Sequence, residues 1–250
     1  MEIRYQISDE FPPIIIYQMG KVGSKTIKYS LHKSSLKNFI GHAHNLNKNA
    51  AHGEEARITR ELIDHFFGRV KFKIITLVRD PIAQIISEFF TNYQNYLPHI
   101  IHSKPDEAFN EVIEYLLDYF TQIDVINNRF VNWFDGHIKN VFLFDVYSQP
   151  FNYLKGYSIY STKNIDILIL KLEDLNNCYK EAFYQFLNIE NFTLYSHNLG
   201  ADKWYSDLYQ NILNLIRIPE KNLDQIYMIK YCKHFYSEKE LLAFKTKWNK

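Results

Sequence analysis

Glycine is scarce in this chain, with 8 in 250 residues, where average usage would place roughly 18. That excludes glycine-rich low-complexity or collagen-like structure, and it makes each glycine position informative. Cysteine is scarcer still. Cys178 and Cys232 are the only two; they have no metal-type spacing and make no disulfide framework, so a reducing, cytoplasmic setting is expected. Excess charge of either sign is also missing. Lys and Arg total 29, Asp and Glu total 28, and the net charge is +1. A bulk electrostatic hold on nucleic acid or acidic lipid is therefore not expected. No apolar run approaches the roughly 20 residues of a membrane-spanning helix. The first ten residues are polar and acidic and do not read as a secretory signal. Repeats, low-complexity tracts and Gly/Ser linkers are absent as well.

What is present suffices for a large core: 46% of residues are hydrophobic and 16% aromatic, which rules out global disorder. The first third alternates short Ile-rich runs with helical patterns. Pro13–Met19, Asn38–His44 and Lys71–Arg79 are expected strands, and Ser24–Lys33 and Glu54–Phe67 expected helices. Asp80-Pro81 opens a further helix, with Asp as N-cap and Pro at the first helical position. Strand–helix alternation at this spacing implies right-handed βαβ units and a parallel sheet. Helical patterns follow at Pro105–Phe120 and Gln122–Phe134. Strand-like runs are expected at Val141–Tyr147 and Ile165–Leu172. The C-terminal part reads as helices over Leu175–Leu187, Trp204–Ile216, Leu223–Phe235 and Glu238–Trp248. The expectation is one α/β domain over residues 1–250: a three-layer, P-loop-like fold whose central, mostly parallel sheet is flanked by helices. It carries a helical insertion near 104–135 and C-terminal helices over 176–250.

Two glycines stand three apart in Gly20-Lys21-Val22-Gly23-Ser24-Lys25-Thr26, between a buried strand and a helix. A turn of this kind offers backbone N–H groups and the positive end of a helix to an anion. Lys21, Lys25, Ser24 and Thr26 add charge and hydroxyl donors, so the segment is a candidate phosphate loop. The competing reading is an ordinary βα turn with solvated lysines. A Walker A loop needs four residues between its glycines and a Gly-Lys-Ser/Thr ending. Here the loop is shorter and Ser24 separates Gly23 from Lys25, which disfavours an ATP or GTP hydrolase.

A second phosphate element follows. Arg79 ends a strand at the carboxyl edge of the sheet, where open α/β folds bind ligands. Ser87 lies eight residues on, about two helical turns away. An Arg fork with a hydroxyl suits a phosphate monoester, whereas Arg79 paired to a carboxylate and Ser87 as a packing residue is the bland alternative. His42 and His44 fall on one face of their expected strand. They are the candidate general bases, His44 ahead of His42, against the alternative of two structural histidines. His52 is a weaker candidate. Tyr93, Tyr96 and His99 sit where they could border an acceptor cleft.

These segments resemble those of sulfotransferases that use 3′-phosphoadenosine 5′-phosphosulfate (PAPS). The Gly20–Thr26 turn resembles the family's 5′-phosphosulfate loop, and Arg79 with Ser87 its 3′-phosphate motif. Leu170-Lys171-Leu172-Glu173-Asp174-Leu175 resembles a strand-end Glu-Asp-Leu of such enzymes. The histidine pair resembles the His-x-His of certain glycan sulfotransferases, where a histidine deprotonates the acceptor. Asp202-Lys203-Trp204-Tyr205-Ser206 is similar to the Asn-Lys-Trp-Tyr-Ser motif of a bacterial family of capsular polysaccharide synthesis proteins, with Asp replacing Asn.

The resemblance implies an enzyme that moves a sulfuryl group from PAPS to a glycan hydroxyl without a metal. The partners are then a nucleotide sulfate donor and a glycan acceptor. It implies His44 or His42 as base and Lys21 as a charge stabiliser. Gly20, Lys21, Val22, Gly23, Ser24, Lys25, Thr26, Arg79, Ser87 and Lys203 are then the nucleotide contacts, while Trp204 and Tyr205 are expected to pack. Two rival readings stand beside it. One is a kinase or NTPase in which Asp80 binds Mg²⁺. The other is a non-catalytic nucleotide-binding protein of a polysaccharide assembly.

Overall fold

The computed structural model describes residues 7–47, 53–195 and 203–250. Its centre is a five-stranded sheet in the order β2-β1-β3-β5-β4. β1 (Ile14–Tyr17), β2 (Ile40–Ala43), β3 (Phe72–Val78) and β5 (Ile165–Lys171) run parallel, and β4 (Tyr157–Ser161) is an antiparallel edge. Ile14, Ile15, Ile16 and Tyr17 are fully buried, as are Ile74, Ile75, Leu77 and Val78. Continuous apolar runs of this kind are what a parallel sheet covered on both faces requires. Helices flank the sheet, so the α/β fold class expected from sequence is the one observed.

The helices of the first half follow the expected spans. α1 is Ser24–Lys33, α2 Glu54–Phe66, α3 Pro81–Asn92 and α4 Pro105–Tyr119. α5 (Ile123–Asn132) continues into a single π-helical segment, Trp133–Ile138, and then α6 (Lys139–Phe142).

Here one expectation is overturned. Val141–Tyr147 is not a strand; its first part completes α6. Leu143 adopts a left-handed conformation at φ 56°, and Asp145 caps a 3-10 turn by accepting from the Tyr147 N–H at 3.1 Å. Val141, Phe142, Phe144 and Val146 are buried all the same; a short apolar run signals burial without specifying strand or helix. The strand next to β5 is β4, whose register puts Tyr157 against Leu170 and Ile159 against Leu168.

In the C-terminal part, α7 (Leu175–Leu187), α8 (Ser206–Leu215) and α11 (Glu238–Trp248) lie close to expectation. The expected helix Leu223–Phe235 is two, α9 (Glu220–Tyr227) and α10 (Lys230–Phe235). Ile229 between them is extended (ψ 151°) and buried, leaving Met228 exposed. No Pro or Gly marks that break, so packing rather than local propensity sets it.

Contacts group the chain into two compact units: residues 1–79 with 133–198, and 80–132 with 199–250. The first holds the whole sheet with α1, α2, α6 and α7. The second is helical. Its α4 packs on α8, and its α5 packs on α9 and α10. Among the described residues, no helix is long and apolar enough to cross a membrane.

Candidate nucleotide site

The topology selects one place on the sheet for a ligand. From β1 the chain crosses to β2 on one side, then returns to β3 on the other side of β1. The carboxyl ends of β1 and β3 therefore flank a switch point, the position where open α/β sheets leave a crevice. The glycine turn leaves β1 there and Arg79 ends β3 there.

The turn has the backbone shape an anion cradle needs. Lys21 takes φ 67° and Gly23 φ 93°, both in the left-handed region that turns successive N–H groups toward one point. Gly23 is the N-cap of α1, so no side chain caps the helix, and its first turn carries no acid. A helix start without a side-chain cap or an acid in its first turn is one where the helix dipole favours an anion. The φ of 93° favours glycine at position 23, and a Cβ there would also meet Leu172 Cδ1 at 2.8 Å, so that side chain would have to shift. Gly20 differs, with no atom within 4 Å of the corresponding position. Val22 is fully buried and offers only its backbone. Ser24 is buried at the helix start, Thr26 half-buried and Lys25 exposed.

Arg79 joins the turn directly: its Nη1 donates to the Lys21 carbonyl at 2.9 Å. The Lys171–Asp174 segment closes the same corner. The Leu172 N–H donates to the Val78 carbonyl at 2.9 Å, Leu172 fills the space beside Gly23, and buried Lys171 pairs with Asp174 at 2.8 Å.

The histidines lie on the adjacent strand. Their rings meet edge to face, 4.7 Å apart, as the one-face expectation requires. His44 is exposed, and its Nδ1 lies 2.8 Å from the Gln18 carbonyl. A carbonyl only accepts, so Nδ1 carries a proton, and in the neutral ring Nε2 then holds the lone pair. That is the tautomer a general base needs. His42 is buried deeper, with its Nε2 shielded from solvent and without a partner. Burial first, then the neighbouring His44, Lys28 and Lys25, lower its pKa to about 4, so it is neutral at physiological pH.

Side chains that the sequence did not single out hold the histidine segment. The Tyr17 hydroxyl accepts from the Leu46 N–H at 3.2 Å and meets His137 Nδ1 at 3.0 Å. Arg60 donates to the Leu46 carbonyl at 3.1 Å and Asn47 to the Gly136 carbonyl at 3.2 Å. His137 belongs to the π-helical segment, an irregularity common at functional sites.

Two expected residues belong to the helical unit. Ser87 is half-buried on α3, in the helical unit. Lys203 is in the same unit, before α8, where its Nζ donates to the Tyr205 hydroxyl at 2.9 Å. His52 and Asp202 lie outside the described residues. Tyr205 is buried and packs on Phe90 at 5.3 Å, whereas Trp204 meets Tyr93 at 4.9 Å but is 53% exposed. Asp80 is only 2% exposed. Its Oδ1 accepts from the Ile82 N–H at 3.2 Å and the Tyr227 hydroxyl at 2.8 Å, and its Oδ2 accepts from Trp248 Nε1 at 2.8 Å. It is a structural cap with its acceptors engaged inside the protein, which removes the residue on which a Mg²⁺-binding reading rested.

A family model, NKWYS, described as "Putative capsular polysaccharide synthesis protein", matches residues 106–237, just over half of the chain. The chain belongs to this family. Neither the curated proteins nor the solved structures contain a match to it. The NKWYS description concerns capsular polysaccharide synthesis and hence a glycan substrate. Its span contains the Lys203-Trp204-Tyr205-Ser206 motif and begins after Arg79, so the glycine turn and the histidine pair lie outside it.

Proposed function

We propose that the protein is a PAPS-dependent sulfotransferase acting on a glycan hydroxyl in capsular or cell-surface polysaccharide synthesis. The observation that carries the proposal is the joining of three elements at one sheet edge. These are the Lys21–Gly23 turn with its two left-handed positions, Arg79 bound to the Lys21 carbonyl, and exposed His44 with its Nδ1 on the Gln18 carbonyl. The donor set fits the nucleotide: the positive end of α1 and lysines for one phosphate, a guanidinium for another, and open space over Gly20 where a phosphate can approach the backbone.

When bound, PAPS supplies an activated sulfuryl group on a phosphate that can leave. His44 Nε2 takes the proton of the acceptor hydroxyl. Lys21, Lys25 and the N–H groups of the turn hold the negative charge that grows on the phosphate side. Ser24 and Thr26 add hydroxyl donors from the first turn of α1. Ser87 and Lys203 are assigned to the nucleotide on sequence motifs alone.

Two measurements separate binding from chemistry. Lys21→Ala and Arg79→Ala are expected to abolish binding of adenosine 3′,5′-bisphosphate; unchanged binding in both rejects the nucleotide assignment. His44→Ala is expected to keep that binding and lose transfer of labelled sulfate to capsular glycan. Full transfer by His44→Ala and His42→Ala alike places the base elsewhere.

A further inference from the structure

The antiparallel strand β4 ends the sheet on the side away from β2, and its outer edge is open. In the ladder with β5, the Lys171 N–H donates to the Gly156 carbonyl and the Thr162 N–H to the Ile165 carbonyl, both at 2.8 Å. Bonded and unbonded pairs alternate along an antiparallel ladder, so Ser158 and Tyr160 turn their backbone groups to β5. Tyr157, Ile159 and Ser161 turn theirs outward. Among the described residues nothing pairs with those outward N–H and C=O groups.

Monomeric proteins guard such an edge with charge, proline or a bulge. The strand Tyr157-Ser158-Ile159-Tyr160-Ser161 has no charge and no proline, and its register with β5 is unbroken. Ile159 is partly exposed. Apolar side chains are exposed beside the strand as well. Leu154, three residues before it, is 100% exposed. Leu143 is 79% exposed next to Phe144, whose ring packs on Tyr160 at 5.7 Å.

We infer that a second copy of this chain covers the edge, β4 pairing antiparallel with β4 about Ile159 in a two-fold dimer. The strand is complementary to itself, as an isologous interface requires. A dyad at Ile159 sets that residue opposite its own counterpart and Tyr157 opposite Ser161 of the other copy. Three bonded pairs, with two hydrogen bonds each, then give about six across the dyad. Charge favours a copy of this chain as the occupant. The same register sets Lys163, just past the strand, opposite Lys155 of the other copy. Lys155 is paired with Glu181 of α7 at 3.1 Å, and Glu181 is exposed. Lys163 is exposed and has no ion pair among the described residues. The Tyr157 hydroxyl donates to Gln185 of α7 at 3.1 Å, so α7 covers the sheet face to which the odd-numbered β4 side chains point. Glu181 therefore stands where Lys163 of the other copy arrives, and symmetry repeats the contact. All these residues belong to the sheet-bearing unit, and the dimer is independent of the nucleotide and glycan assignments.

Sedimentation equilibrium of the full chain across the micromolar range tests it. A dimer is expected, and Lys163→Glu is expected to raise its dissociation constant at least about fivefold. Adding Glu181→Lys to that variant exchanges the charges and is expected to return most of the loss. Both side chains are exposed, so these changes spare the core. Single cysteines read the register under air oxidation, and the native Cys178 and Cys232 are buried. Ile159→Cys is expected to give a disulfide-linked dimer, since a bonded pair at the dyad stands about 5.5 Å apart between Cα atoms. Lys163→Cys is expected to stay unlinked, because its two copies lie roughly 26 Å apart along the strands. Circular dichroism verifies the fold of each variant. A monomer throughout the range overturns the inference. So do a dimer unmoved by Lys163→Glu, and oxidation that links Lys163→Cys as readily as Ile159→Cys.

Discussion

Replacing Asp80 by alanine removes three hydrogen bonds from one buried carboxylate. The lost N-cap contact to Ile82 costs about 1 kcal/mol. The Tyr227 hydroxyl and the Trp248 indole N–H then lose a partner while still buried, at about 1–3 kcal/mol each. Relief from burying a charge offsets part of this, leaving a destabilisation of about 3–5 kcal/mol, a large share of a typical total of about 5–15. Asp80→Asn is the sharper probe. Its amide oxygen still accepts from Ile82 and Tyr227, but its NH₂ now faces the Trp248 donor, so about half the cost remains. Trp248→Phe in the Asp80→Asn background removes that donor–donor conflict and returns part of the loss, a coupling that a double-mutant cycle reads directly. Urea unfolding followed by far-ultraviolet circular dichroism measures all five proteins, Trp248→Phe alone included, with midpoint shifts converted through a common slope. An Asp80→Ala protein within 1 kcal/mol of the parent refutes the reasoning. So does an Asp80→Asn protein no more stable than Asp80→Ala.

Acid should act through His42. Its pKa is depressed from 6.5 to about 4 by burial, so between those values the unfolded chain binds a proton that the folded one refuses. The associated stability is fully present above pH 6.5 and falls by about 3 kcal/mol as the pH drops to 4. His42→Asn should flatten that part of a urea-midpoint profile, and an unchanged slope contradicts the assignment. The two loop glycines should separate stability from binding. Gly23→Ala forces a left-handed alanine against Leu172 and should cost about 1–2 kcal/mol in thermal unfolding. Gly20→Ala should leave the melting temperature within about 1 °C yet weaken bisphosphate binding at least tenfold; equal stability losses in the two variants count against this division.

Much of the site was legible because local chemistry dictated it. Ile-rich runs bounded by Gly and Pro had to be buried strands. The Gly20–Gly23 spacing placed a turn before α1, and Asp80-Pro81 marked the start of α3. The glycines themselves proved less uniform than their scarcity suggested. Gly23 serves the turn, whereas Gly41 is required because a Cβ there would strike Thr59 Oγ1 at 2.5 Å, which is a packing reason. Contacts between residues distant in the chain stayed hidden. The tautomer of His44 is set by the Gln18 carbonyl, 26 positions away. The role of Asp80 depends on Tyr227 and Trp248, 147 and 168 positions on. The Val141–Tyr147 run misled because burial, not strand geometry, selected its apolar residues.

The central claim is that the turn between β1 and α1 binds a nucleotide bearing two separate phosphates. Thermal unfolding with adenosine 3′,5′-bisphosphate against ATP and Mg²⁺, on the parent and on Gly20→Ala, measures it most directly. At about one hundred times the dissociation constant, the bisphosphate should raise the melting temperature of the parent by about 5–10 °C, more than ATP does, and the rise should fall to about half or less in Gly20→Ala. No rise with the bisphosphate, or a larger rise with ATP and Mg²⁺, contradicts the account.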